Sequence, residues 1–282
     1  MFLTPYQKEK IKIIAFDLDG TLLGGDSRLS ERTAEVLNRA ADRGYHLVPA
    51  TGRVFSSLPA DLNRLEIRHA VTSNGGCVVS WPDGREIFRS LIAWEDIEPA
   101  VSTLMDDSVI CEIFFGGSGY IAAESLERLP LFVRDERRRE YIRTTRRPVG
   151  DLEALMREHG NELENIMLLF ADLSVKQAYY DYLSSMDGLS VVFSQSFSLE
   201  IGGRHTSKAN GLREIAQLYG LGLENVICFG DSTNDIAMLR ACGVSAAMGN
   251  AIPEVKEAAD ITAPPNTEDG LAAVVEELLE QG

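Results

Sequence analysis

Basic charge, cysteine and histidine are all scarce in this chain of 282 residues, and each scarcity removes a class of function. Lysine and arginine number 27 against 43 aspartate and glutamate, a formal net charge of −16. Such an excess of anions argues against nonspecific binding to nucleic acid or an anionic membrane, and an anionic substrate would need local positive charge. The four cysteines, Cys77, Cys111, Cys228 and Cys242, are scattered and form no Cys-x-x-Cys pair, so buried reduced thiols are expected. Of the four histidines, His46, His69 and His159 show no ligand spacing, and His205 suits a structural or rim position. No apolar stretch is long enough to span a bilayer and no signal-peptide core opens the chain, so the expected location is the cytoplasm. What is present is ordinary for a globular protein: 45% hydrophobic and 25% charged residues, enough to bury one large core or a core plus a second domain.

The pattern along the chain predicts that second domain. The opening segment alternates strand and helix: a strand over 11–16, a helix from Glu31 to Arg43 capped by Ser30, a strand from Tyr45 to Ala50, and a further helix after Thr51-Gly52-Arg53 that Pro59 interrupts. Beyond residue 88 the pattern changes to hairpins and single helices, with glycines 116, 117 and 119 between two strands. That cluster lacks the Gly-Lys-Ser/Thr ending of a phosphate loop and predicts a hairpin turn. From Ser207 onward strand–helix alternation returns. The fold class is therefore α/β: segments 1–87 and 195–282 share one parallel sheet, and 88–194 forms an inserted α+β domain.

The candidate chemistry begins at Ile11-Lys12-Ile13-Ile14-Ala15-Phe16-Asp17-Leu18-Asp19-Gly20-Thr21. An apolar strand ends in two carboxylates one residue apart, on the same side by strand alternation, and Gly20 lets the chain turn. Two acids held close at a strand end repel unless a cation or proton lies between them. The competing explanation is a solvated Asp-x-Asp-Gly turn. A second strand ends the same way, in Gly230-Asp231-Ser232-Thr233-Asn234-Asp235. If the two strands are neighbours, Asp231 joins Asp17 and Asp19 at the carboxyl edge, where ligands of open α/β sheets bind. Carboxylates without matching histidines or thiolates favour a hard cation, most simply Mg²⁺. Thr51-Gly52 offers a hydroxyl and a backbone N–H for phosphate oxygens, and Lys208 could bring an ammonium to the same edge.

Taken in order, Asp17-x-Asp19-Gly20-Thr21, Thr51-Gly52-Arg53, Lys208 and Gly230-Asp231-x-x-Asn234-Asp235 resemble the motifs of the haloacid dehalogenase (HAD) superfamily. The chain is most similar to its Cof-type phosphatases, subfamily IIB, which carry a large α/β cap between the second and third motifs. Asn74-Gly75, Leu199-Glu200-Ile201, 247–251 and 266–270 fit the same pattern. The resemblance implies a Rossmann-like core with an inserted cap and a covalent mechanism. In it Asp17 is the nucleophile and Asp19 the proton shuttle; Asp17, Asp231 and the Asp19 carbonyl hold Mg²⁺. Thr51, Gly52, Lys208 and Asn234 bind phosphate, and Asp235 supports the metal or orients Lys208.

The expected substrate is a small phosphorylated metabolite, foremost a sugar phosphate, and the expected assembly a monomer or small homo-oligomer. A phosphomutase and a noncatalytic phospho-ligand sensor are the alternatives. The arginine run from Arg134 to Arg147 is interleaved with Asp135, Glu136 and Glu140. It is expected to form a solvated helix face, with a role in holding a second anionic group as the competing idea.

Overall fold

The computed structural model describes residues 3–280. The chain divides into two compact units, Met1–Gly52 with Leu58–Phe88 and Ser207–Gly282, and Arg53–Ser57 with Arg89–Thr206. In chain order the strands are β1 (Ile13–Phe16), β2 (His46–Pro49), β3 (His69–Thr72), β4 (Cys77–Ser80), β5 (Glu86–Arg89), β6 (Val109–Phe115), β7 (Ser118–Ala122), β8 (Arg146–Val149), β9 (Asn165–Phe170), β10 (Leu189–Gln195), β11 (Ser198–Gly203), β12 (Val226–Gly230), β13 (Val244–Ala247) and β14 (Ile261–Thr262).

In the first unit a five-stranded parallel sheet has the order β14-β13-β12-β1-β2. β1 is central, and all four of its residues are buried because both faces of the sheet are covered. Ile14, Phe16, Ile227 and Phe229 enter one core with the helices Glu31–Asp42 and Gly270–Leu279. Ile13, Ala15, Val226 and Cys228 enter the other with the helix Lys208–Leu218 and the helix Ile236–Ala241. Two-residue alternation thus builds a three-layer sandwich from one strand sequence. In-register pairing of Phe16 with Phe229 brings the ends of β1 and β12 level. A second, three-stranded sheet, β3-β4-β5, adjoins through a bridge between Ala50 and Val71.

The second unit is a six-stranded sheet, β10-β11-β9-β6-β7-β8, antiparallel apart from the β7–β8 pair. β11 is bonded on both sides, to β10 and β9, so the sheet runs on to Gly203. The chain therefore returns to the first unit at Ser207, later than the 195 expected from the sequence. The helix expected after Arg53 is two short 3-10 turns, Phe55–Ser57 and Ala60–Arg64. Pro59, which lacks an N–H and disfavours helical geometry before it, separates them. The arginine run forms the helix Glu136–Thr145, where Arg139 and Arg143 pair with Glu136, and then enters β8. Arg146 alone is buried with a carboxylate, its Nε 2.7 Å from Glu112 Oε2. No helix among the described residues is long and apolar enough to cross a membrane.

Candidate active site

The carboxyl ends of β1 and β12 bring the acidic motifs together. Asp17 follows β1 directly, its N–H donating to the Phe229 carbonyl at 3.0 Å, and is buried. Gly20 turns the chain with φ +85° beside Asp231; a Cβ there would stand 2.4 Å from Asp231 Oδ2. Thr21 donates its hydroxyl to Asp231 Oδ1 at 3.0 Å. Asp19, one residue beyond the buried Leu18, is exposed to solvent.

Lys208 opens its helix just after the N-cap Ser207, whose hydroxyl accepts from the Asn210 N–H. Its side chain is completely buried, and Nζ lies 2.6 Å from Asp17 Oδ1 and 2.7 Å from Asp235 Oδ1. Burial alone would lower the Lys208 pKa, but Asp17 and Asp235 outweigh it and hold the ammonium above its ordinary range. The other oxygen of Asp235 accepts the N–H groups of Asp231 at 2.9 Å and Ser232 at 3.0 Å. Asp235 therefore braces both the lysine and the turn that carries Asp231.

Carboxylate outnumbers ammonium here. Burial, with Asp235 next, pushes the Asp231 carboxyl up to about 7. Burial likewise drives Asp17 upward, reinforced by Asp235, Asp231 and Asp19 and opposed by Lys208. A cation relieves that cost. Ligand oxygens of Asp17, Asp231 and Asp235 all lie within 4.8 Å of one another, and an oxygen-only donor set suits a hard divalent ion such as Mg²⁺.

Thr51 is buried beyond the end of β2, its N–H donating to the Val71 carbonyl at 2.9 Å, and Gly52 beside it is half-buried. Asn234 directs Nδ2 to Asn74 Oδ1 at 3.1 Å. Residue spacing assigns no role to Asn74 or to Thr21; Asn74-Gly75 reads only as a turn, and the tertiary arrangement joins Asn74 to Asn234. Asn250, which donates to the Gly20 carbonyl at 2.9 Å, is another such brace.

Comparison with known proteins adds to this geometry. The family model described as haloacid dehalogenase-like hydrolase matches residues 14–275. The chain belongs to the haloacid dehalogenase-like hydrolase family. Within it, the chain is 30% identical over 276 residues to 5-amino-6-(5-phospho-D-ribitylamino)uracil phosphatase YitU of Bacillus subtilis, covering 94% of this chain and 96% of that one. A solved haloacid dehalogenase-like hydrolase from B. subtilis is similar with a TM-score of 0.84 and 26% identity, over 95% of this chain and 100% of the other. The HAD subclass IIB sugar phosphatase BT4131 shares the fold, with a TM-score of 0.80 at 23% identity over 94% and 98% of the two chains. The chain is accordingly a HAD-type phosphatase with the core-plus-second-unit fold of the Cof-type branch.

Proposed function

We propose that this HAD enzyme hydrolyses small phosphomonoesters, sugar and polyol phosphates foremost, through an aspartyl-phosphate in the presence of Mg²⁺. The observation that carries the reading is the buried Lys208 ammonium shared between Asp17 and Asp235 beside Asp231. A solvated acidic turn has no use for a fully desolvated lysine. Preorganised positive charge is what a phosphoryl group in transfer demands. The phosphorylated ribityl chain in the name of the B. subtilis relative supports polyol phosphates as the substrate class.

In this reading an Asp17 carboxylate oxygen attacks phosphorus and the ester P–O bond breaks. Asp19, the exposed acid of the pair, gives its proton to the departing alkoxide, which leaves as an alcohol. Asp19 then takes a proton from water as that water attacks the aspartyl-phosphate. The P–O bond to Asp17 breaks, and inorganic phosphate and the Asp17 carboxylate are restored. Thr51 and the Gly52 N–H hold the phosphate oxygens, while Lys208 offsets their charge and keeps Asp17 oriented. Asp17 and Asp231, with the Asp19 carbonyl that the family resemblance implies, would hold Mg²⁺, which would supply further positive charge to the phosphoryl oxygens. The second unit corresponds to the inserted cap of the Cof-type branch.

The test is phosphate release from a panel of phosphomonoesters, with Mg²⁺ or with chelator and without any bisphosphate activator. Wild-type protein should turn over sugar phosphates only with the metal, and Asp17→Asn should be inactive with an unchanged circular dichroism spectrum. Full-rate hydrolysis after chelation, or turnover by Asp17→Asn, would refute the mechanism.

A further inference from the structure

Three guanidiniums of the second unit gather at one tyrosine. Around the Tyr141 ring, Arg138 Cζ stands 4.8 Å from the centroid, Arg53 Cζ 4.9 Å and Arg146 Cζ 5.3 Å. A ring has two faces, so at least two of these cations share one. The ring attracts them but carries no net charge to neutralise them. Arg146 is answered by Glu112, 2.7 Å from its Nε. Arg138 is not. Among the described residues it has no carboxylate partner: Nη2 meets Met167 Sδ at 4.0 Å, and Nε is buried without a hydrogen bond. Its helix neighbours Arg139 and Arg143, by contrast, pair with Glu136. In a chain with 43 acidic residues and 27 basic ones, a half-buried arginine set among other arginines is a charge left unanswered.

A water molecule can accept from Nε, but water is neutral and leaves the repulsion in place. An oxyanion meets both needs. The planar guanidinium fork matches the paired oxygens of a carboxylate or phosphate and has nothing to offer a neutral donor or an amine. Arg53 adds a covalent link. It follows Gly52 directly, about 3.8 Å from Cα to Cα, and Gly52 is a phosphate-oxygen donor in the reading above. We propose that Arg138, with Arg53 and Arg146 beside it at Tyr141, is an oxyanion-binding site of the second unit. Its ligand is a carboxylate or phosphate group, carried by the substrate apart from the scissile ester or free in solution. The first source rests on the phosphatase reading and narrows the substrates to phosphorylated acids; the second makes the site regulatory. Either source divides the arginine run: Arg139 and Arg143 lie on the expected solvated face, and Arg138 takes the competing role.

Two substitutions and two arms test this. Arg138→Gln removes the charge, and Arg138→Lys keeps it without the fork. The first arm compares kcat/KM, with Mg²⁺, on 6-phosphogluconate and sorbitol 6-phosphate, which differ by a carboxylate in place of a hydroxymethyl group. For a substrate-borne oxyanion the wild type should favour 6-phosphogluconate at least about tenfold, the worth of one charged hydrogen bond. Arg138→Gln should lose that preference and Arg138→Lys should keep part of it. The second arm titrates sulfate into the full chain by calorimetry. For a free oxyanion Arg138→Gln should weaken sulfate binding about tenfold and leave the ratio of the two esters unchanged. The site is overturned if Arg138→Gln, with an unchanged circular dichroism spectrum, moves neither the ester ratio nor the sulfate affinity. A wild type that neither prefers 6-phosphogluconate nor binds sulfate overturns it as well. Failure of the wild type to hydrolyse any phosphomonoester refutes the phosphatase reading instead, and the sulfate arm then decides the site alone.

Discussion

Lys208 holds its charge fully buried, and two carboxylates at 2.6 and 2.7 Å make that possible. Methionine keeps the length of the side chain and removes the ammonium. Lys208→Met should therefore lower kcat by at least about 10²–10³-fold, the scale of one lost charge-stabilising donor. It should also destabilise the metal-free protein by about 3–5 kcal/mol, because Asp17 and Asp235 are left buried without their counterion. Single-turnover phosphate release and urea unfolding measure the two effects, and near-normal kinetics would remove Lys208 from the machinery. At this scale the acids were the legible part. Asp17, Asp19 and Asp231 stand at strand ends that an apolar run announces, whereas Asn74-Gly75 marks the left-handed turn between β3 and β4 but not the contact of Asn74 with Asn234 across 160 positions.

Within the second unit, β6 shows how an element can carry a charge through a core. Its odd positions, Val109, Cys111, Ile113 and Phe115, enter one cluster, and Ile110 and Phe114 enter the other, with Glu112 between them on that second face. Glu112 is fully buried and meets Arg146 of β8, whose guanidinium also lies 4.7 Å over the Phe114 ring. Arg146→Met should cost about 3–5 kcal/mol, and adding Glu112→Leu should recover most of it, since a matched apolar pair avoids both desolvation penalties. Thermal unfolding of the single and double variants checks this; additive losses would mean that the pair is not coupled. The same pair explains why β8 was hidden in the sequence. A run of arginines signals a helix face, and only pairing with β7 and the buried Glu112 draws Arg146–Val149 into a strand. Long alternating elements were legible, but those containing an internal proline were not. Trp94–Met105, with helical spacing throughout, breaks into the helices Trp94–Ile97 and Val101–Leu104 around the 3-10 turn that holds Pro99.

For the molecule as a whole, a response to acid separate from that of the acidic cluster is written into the first unit. His46 stacks on Tyr219 with ring centroids 3.7 Å apart, and His69 Nδ1 lies 2.6 Å from the Tyr219 hydroxyl. Burial, aided by Arg68, lowers both histidine pKa values. A histidine whose folded pKa is depressed binds fewer protons folded than unfolded. Its stabilising contribution is intact above the unfolded value of about 6.5 and is lost as pH falls toward the folded one. The wild-type protein should thus lose stability relative to a His46→Gln/His69→Gln variant as pH falls below about 6.5, measured as urea midpoints; parallel pH profiles would exclude the pair as its source. The sheet order has a consequence for synthesis as well. β1 is hydrogen-bonded between β2 and β12, and β12 begins about 200 residues after β1 ends. At translation rates of ~5–20 residues per second, β1 waits roughly 10–40 s on the ribosome with one apolar edge unpaired. The same central placement that gives Asp17 its rigid footing leaves the nascent chain with an unpaired strand edge to protect until its last fifth emerges.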